Sequence, residues 1–352
     1  MATLKKFATT SPLRWLLLVP LPVLWIVAAH LGWLDFFENR TVDLRFRYRG
    51  ELTSPVPIVY VDIDSTALEV VGNWPWSRAF FARTCHALLE AGQVNAIGID
   101  LVTSDVAQSQ LADRQKLVEG NIEFAKFLRT NPPVVLAAAY AAESFHDERG
   151  VRSRRLLPLV QGDPRPPEQW EEPEKPRFDI GRKLPWSPAT IGLIDTLHGD
   201  TRIVPLHAPT NVQPYRHMAV ELVRLHYRLP HSGVQIAADH LDFVQPDGTL
   251  LRRVPLTRGQ MLEVNWRTSW ASPHNQHFSF ATVYAHAESL LSGTEEEQCA
   301  ARAFFAQPIW KNALVLIGPV DRLLQDLGPA PFDTEPVPKV GVHGNLVQSI
   351  IA

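Results

Sequence analysis

A central mixed sheet, largely parallel and covered by helices on both faces, is the fold class this sequence predicts, and three observations predict it. Ile58–Ile63 is a β-branched run, apolar on both faces, that ends at Asp64, and residues 95–99 form a second such run ending at Asp100. Between them Phe81, Cys85, Leu88 and Leu89 share one helical face, and strands joined by a helix pair in parallel. The rhythm returns at residues 134–139 and 313–317, again as continuous apolar runs of the kind found in strands covered on both sides.

The chain has 352 residues, 45% apolar and 20% charged, with a formal charge of −3, enough apolar content for one large core. Charges of both signs are interspersed, so there is no positive field of the kind nucleic acid requires, and no nucleic-acid partner is expected. Residues 15–34 carry no charge and are about as long as a helix that crosses a bilayer. Lys5, Lys6 and Arg14 precede this run and Asp35 follows it, which keeps residues 1–14 in the cytoplasm and exports residues 35–352. A cleaved signal peptide ending near Val27, Ala28 and Ala29 is the alternative to an uncleaved anchor. With Cys85 and Cys299 alone, one disulfide is the most that can form, and Cys85 reads as a buried thiol.

Ser77 predicts the N-cap of a helix that Gly92 stops. Residues 121–129 read as a helix ended by Pro132 and Pro133. Residues 142–188 crowd prolines with charges, lose all periodicity and read as an insert. Two hairpins are then expected: residues 191–197 with 201–206 around His198-Gly199-Asp200, and residues 241–245 with 249–254 around Pro246-Asp247-Gly248. A helix falls between them near residues 219–227, giving an antiparallel subregion over residues 191–266. A helix near residues 281–291 and a final one over 342–351 complete the chain, the last resembling the start of a further membrane segment.

The parallel strands bring Asp64 and Asp100 to one carboxyl edge, where open α/β sheets bind ligands. Asp64, Asp100, Asp326 and His343 read as a metal or polar-ligand site, hard cations taking oxygen ligands. Read instead as structure, each Asp caps a helix or a turn, with Arg78 pairing one of them. Trp74 and Trp76 are either aromatic walls for a small molecule or a cover for the sheet edge. No Gly-rich phosphate loop, nucleophile elbow or paired-His metal helix is present, so no catalytic residue is expected. The enzyme alternative is a metal-dependent hydrolase on the Asp edge, with a divalent cation as its cofactor; otherwise none is expected.

The pieces VDID, GNWPWSR, AGQVNAIGID, HGDTRIVPL, ALVLIGP and PKVGVHGNLV, in this order, resemble the CHASE type 2 family, the second type of cyclase- and histidine-kinase-associated sensory extracellular domain. The resemblance covers nearly everything after residue 34. Ser65 and Ala67 stand where relatives commonly carry an acidic residue and a Ser or Thr, and Gly344 follows His343 where Ala is usual. It implies a sensory input domain in the bacterial inner membrane, its bulk periplasmic, dimeric, and answering a small molecule or envelope protein. A cyclase, histidine kinase or diguanylate cyclase would follow on the cytoplasmic side. A docking module that senses nothing is the remaining alternative.

Overall fold

The computed structural model describes residues 20–30, 35–72, 74, 76–101, 114–146, 152–160, 190–194, 196, 201–208, 215–257, 261–324 and 326–352. Residues 1–50 and 51–352 form two units. In the first, α1 (Pro20–His30) is apolar all round its axis, with Val23, Leu24, Trp25, Ile26 and Val27 exposed. The helix α2 (Asp35–Arg49) mixes charged and apolar residues, and its Arg49 guanidinium lies 4.9 Å from the centre of the Phe46 ring. Among the described residues no helix is long and apolar enough to cross a membrane; residues 15–19 and 31–34 of the expected span, and the tail 1–14, lie outside the described residues.

In the second unit β1 (Ile58–Ile63) is followed by the short helix α3 (Ser65–Val71), then α4 (Arg78–Glu90) and β2 (Ala96–Ile99). Ser77 caps α4 as expected, its hydroxyl accepting from Ala79 N–H. The helix α5 (Arg114–Leu128) begins seven residues before its periodic stretch and leads into β3 (Val134–His146), which turns back as β4 (Arg152–Val160). Strand pairing thus replaces the expected absence of structure at residues 142–146 and 152–160, while residues 161–189 lie outside the described residues.

The first expected hairpin does not form. Thr190–Leu193 (β5) joins the central sheet parallel to β3, whereas Ile203–Pro205 (β6) pairs antiparallel with Met261–Glu263 (β12). The reason is burial: β5 is apolar enough to be covered, and Gly192 lets the backbone of Met218 approach where a Cβ would collide. The intervening elements are the small ladder of β7 (His207–Ala208) with β8 (Tyr215–Arg216), then α6 (Met218–His226), and β9 (Val234–Ile236), β10 (His240–Val244) and β11 (Leu250–Pro255). The second hairpin, β10–β11, forms as predicted, with Gly248 at a positive φ and Asp247 accepting from Thr249 N–H.

The chain then adds β13 (Gln276–Ser279), α7 (Phe280–Ser292), α8 (Glu295–Phe305), β14 (Leu314–Pro319), the two-residue strands β15 (Leu327–Gly328) and β16 (Val337–Pro338), and α9 (Val340–Ile351). The central sheet runs β13-β1-β14-β2-β3, parallel throughout, with β5 parallel and β4 antiparallel to β3. Its two faces differ. Val59, Val61, Ile63, Ile97, Ile99, Val315 and Ile317 meet α4, α5, α7 and α8 through Phe81, Leu88, Phe124, Phe280 and Phe305. Each such side chain stabilises the fold by about 1.5–3 kcal/mol through burial.

The other face carries Tyr60, Gly98, Leu316 and Gly318 and is covered by α6 and α9. Met218 and Leu222 rest on Gly98, and Val340 rests on Gly318. The last helix is therefore a core element: Val340, Val342, His343, Asn345, Leu346, Gln348 and Ile350 are all buried. The residues expected to resemble the start of a membrane segment are part of the core of this domain.

Gly344, the departure from the family pattern, is explained here, because a Cβ at this position would overlap the hydroxyl of Tyr60. Gly344→Ala is expected to cost about 1–3 kcal/mol in urea unfolding. In a Tyr60→Phe background, which removes the worst overlap together with a buried hydroxyl that has no hydrogen-bond partner among the described residues, part of that cost should disappear, the ring carbons still standing close to a Cβ at 344.

Candidate functional site

The strand register sets the site. Asp62 of β1 lies level with Gly318 of β14, and Ile317 lies level with Ile99, so Asp100 follows at the height of Gly318. Asp62 and Asp100 thus flank Gly318 on one face, two strand spacings or about 10 Å apart. The helix α9 lies across them and divides the edge into two polar clusters.

In the first cluster, His343 Nε2 lies 3.3 Å from Asp100 Oδ2, off line for a hydrogen bond, and both groups are buried. The His343 ring faces that of His217, centroid to centroid 5.2 Å. His217 caps α6, its Nδ1 accepting from Ala219 N–H at 3.2 Å. Burial, helped by His343, holds the His217 imidazole well below its ordinary value. Asp326 pairs with Lys339 Nζ at 3.1 Å, and burial together with the nearby Asp100 raises its pKa.

In the second cluster His277 touches two acceptors: Asp62 Oδ2 at 2.9 Å from Nδ1 and the Trp270 carbonyl at 3.2 Å from Nε2. Burial raises the pKa of Asp62. Tyr60 stacks on His277 at 4.9 Å, and Trp270 meets both rings edge-on. Beyond Trp270 opens a cleft of about 420 Å³, walled by Val320, Arg322, Leu327 and residues 333–338. The opposite edge of the Trp270 indole rests against Gly341 of α9.

Of the residues singled out by sequence, the structure brings together Asp100, Asp326 and His343. Asp64 turns away to cap α3, accepting from Ala67 N–H and from the Ser279 hydroxyl, both at 2.8 Å. Trp76 is buried among Phe81 and Phe280 and donates its indole N–H to the Gly72 carbonyl at 2.8 Å; Trp74 packs edge-on against it. Arg78 is buried against α5, donating to Asn121 Oδ1 at 3.1 Å. Trp76, with Trp74 packed on it, belongs to the apolar side of the sheet. Tyr60, Asp62, His217 and His277 were not singled out, although Tyr60 and Asp62, two apart in an apolar strand, mark one face as polar. Among the described residues no three His, Cys, Asp or Glu side chains are arranged to hold a metal ion.

The sequence model of the CHASE2 domain matches residues 20–352, and the chain belongs to that family, a sensory domain of signalling proteins. No curated protein matches the chain significantly, and no solved structure does.

The cap at Asp64 is open to test. Asp64→Ala leaves Ala67 N–H and the Ser279 hydroxyl without their acceptor and should cost about 1–2 kcal/mol in chemical denaturation, whereas Asp64→Asn, which still accepts, should cost less than half of that.

Proposed function

We propose that this chain is the extracytoplasmic input domain of a membrane-bound receptor, anchored through residues 15–34, which relays an envelope or external signal to a cytoplasmic output module such as a nucleotide cyclase, histidine kinase or diguanylate cyclase. The observation that carries the reading is the position of α9. The last helix of the chain is buried in contact with both polar clusters, and Gly341 touches the cleft wall. A change of charge or occupancy at the sheet edge is therefore felt by α9. Membership of the CHASE2 family supports a sensory role, and the exposed apolar surface of α1 supports the anchor.

Cys299 provides the test. Its thiol is exposed on α8, while Cys85 is buried and its thiol is pushed up by burial, so a polar maleimide reads Cys299 alone. In intact spheroplasts expressing the full-length protein, Cys299 should label fully with a membrane-impermeant maleimide, and Cys299→Ser should abolish the signal. Labelling only after lysis would place the domain inside and overturn the receptor reading.

A further inference from the structure

We infer that the facing imidazoles of His217 and His343 form a proton-binding site that latches α6 to α9, so that acidity is itself a signal this domain reads. The inference rests on the sensory reading above and names the stimulus.

The argument begins with which atoms can take a proton. Ala219 N–H must donate, so Nδ1 of His217 is the acceptor and the ring hydrogen sits on Nε2. That Nε2–H is buried without a partner. Across from it, His343 directs Nε2 at Asp100, and its own Nδ1 is also buried without a partner. The only atom of His217 that can accept a further proton is then Nδ1, whose lone pair holds the first turn of α6. Protonation removes that cap and sets a cation 5.2 Å from the His343 ring. The change is discrete, because the cap cannot survive it.

No neighbouring group cancels the new charge. Asp100, at the end of β2, lies against His343; Asp326 is paired with Lys339 at the start of α9; on α6, Glu221 is held by Arg216 at 2.9 Å and Arg224 at 2.6 Å, with His231 at 3.8 Å. Among the described residues no carboxylate lies within ion-pairing distance of His217. Its pKa in the fold lies below the unfolded value, so the neutral form is native. The stability it contributes is complete above about pH 6.5 and is lost as pH falls from there toward the folded pKa. What is released first is the α6–α9 contact.

Amide hydrogen exchange on the full chain, corrected for intrinsic rates, tests this between about pH 7.5 and 5.5. Acidification should lower protection in α9 by up to about tenfold relative to β14, the ceiling for one group with an unfolded pKa of about 6.5 over this interval. His217→Asn keeps an oxygen that accepts from Ala219 N–H but does not titrate, and should abolish the loss. His226→Gln, which replaces a half-buried histidine outside the pair, should preserve it. Protection in α9 that follows β14 at both pH values overturns the inference, and so does a loss that persists in His217→Asn. If that variant folds poorly, His217→Ser, whose hydroxyl also accepts from Ala219 N–H without titrating, carries the same expectation. An external Cys299 with a pH-silent α9 overturns this inference alone. Release of α9 with an internal Cys299 overturns the receptor reading and leaves the proton site standing.

Discussion

The rest of the structure depends on the close approach of α9 to the sheet. A helix can lie this near to β14 and β1 only where side chains are missing at the contact, and Gly318 on the sheet and Gly344 on the helix supply the gaps. The face being covered carries Tyr60, Asp62 and Asp100, so its cover has to be polar as well, and α9 supplies His343, Asn345 and Gln348. Asn345 shows how this is made tolerable: its side-chain oxygen accepts from Arg267 N–H and Thr268 N–H at 2.8 and 3.1 Å, and its amide donates to the Thr268 and Gly341 carbonyls.

The two faces of the sheet consequently do different work. The side built from α4, α5, α7 and α8 is aromatic and aliphatic, with Trp76, Phe81 and Phe280 in mutual contact, and gives the domain a fixed frame. On the side of α6 and α9, buried atoms of Tyr60, Asp62, Asp100, His217, His343 and Gln348 lack hydrogen-bond partners among the described residues. An unpaired buried polar group costs about 1–3 kcal/mol. Concentrating such costs on one face makes its helices the cheapest part of the molecule to rearrange, as a moving element requires.

Much of the frame was legible because it is local. Apolar runs marked β1, β2, β3 and β14, and Ser77 and Gly92 marked the ends of α4. The failures came where a distant partner decides. His198-Gly199-Asp200 is good turn chemistry, yet β5 finds β3 and β6 finds β12, pairings that no local pattern encodes. The strand β13 is short and half polar and gave no period to read, whereas α8 did carry a signal in Thr294 and Glu297, whose side chains form a capping box. At the site, a shared sheet edge was enough to anticipate Asp100, Asp326 and His343 together. The identity of the partner was not, since a single His before a helix, as at His217, reads only as a cap. Of the WPWSR stretch, the most distinctive in the sequence, Trp76 and Arg78 are buried on the helix-covered side of the sheet away from α9.

The position of β14 has a consequence for how the domain is made. It sits between β1 and β2, so the first two strands to be synthesised are not partners of each other, and β13, the other neighbour of β1, also comes late. Both edges of β1 therefore stay unpaired until more than 210 further residues have emerged, and the α9 face closes last of all. Pairings of such long sequence separation close slowly, and unpaired apolar strands are prone to associate with other chains. The sheet is thus complete only once β13 and β14 have joined β1, which ties acquisition of the fold to the late part of synthesis.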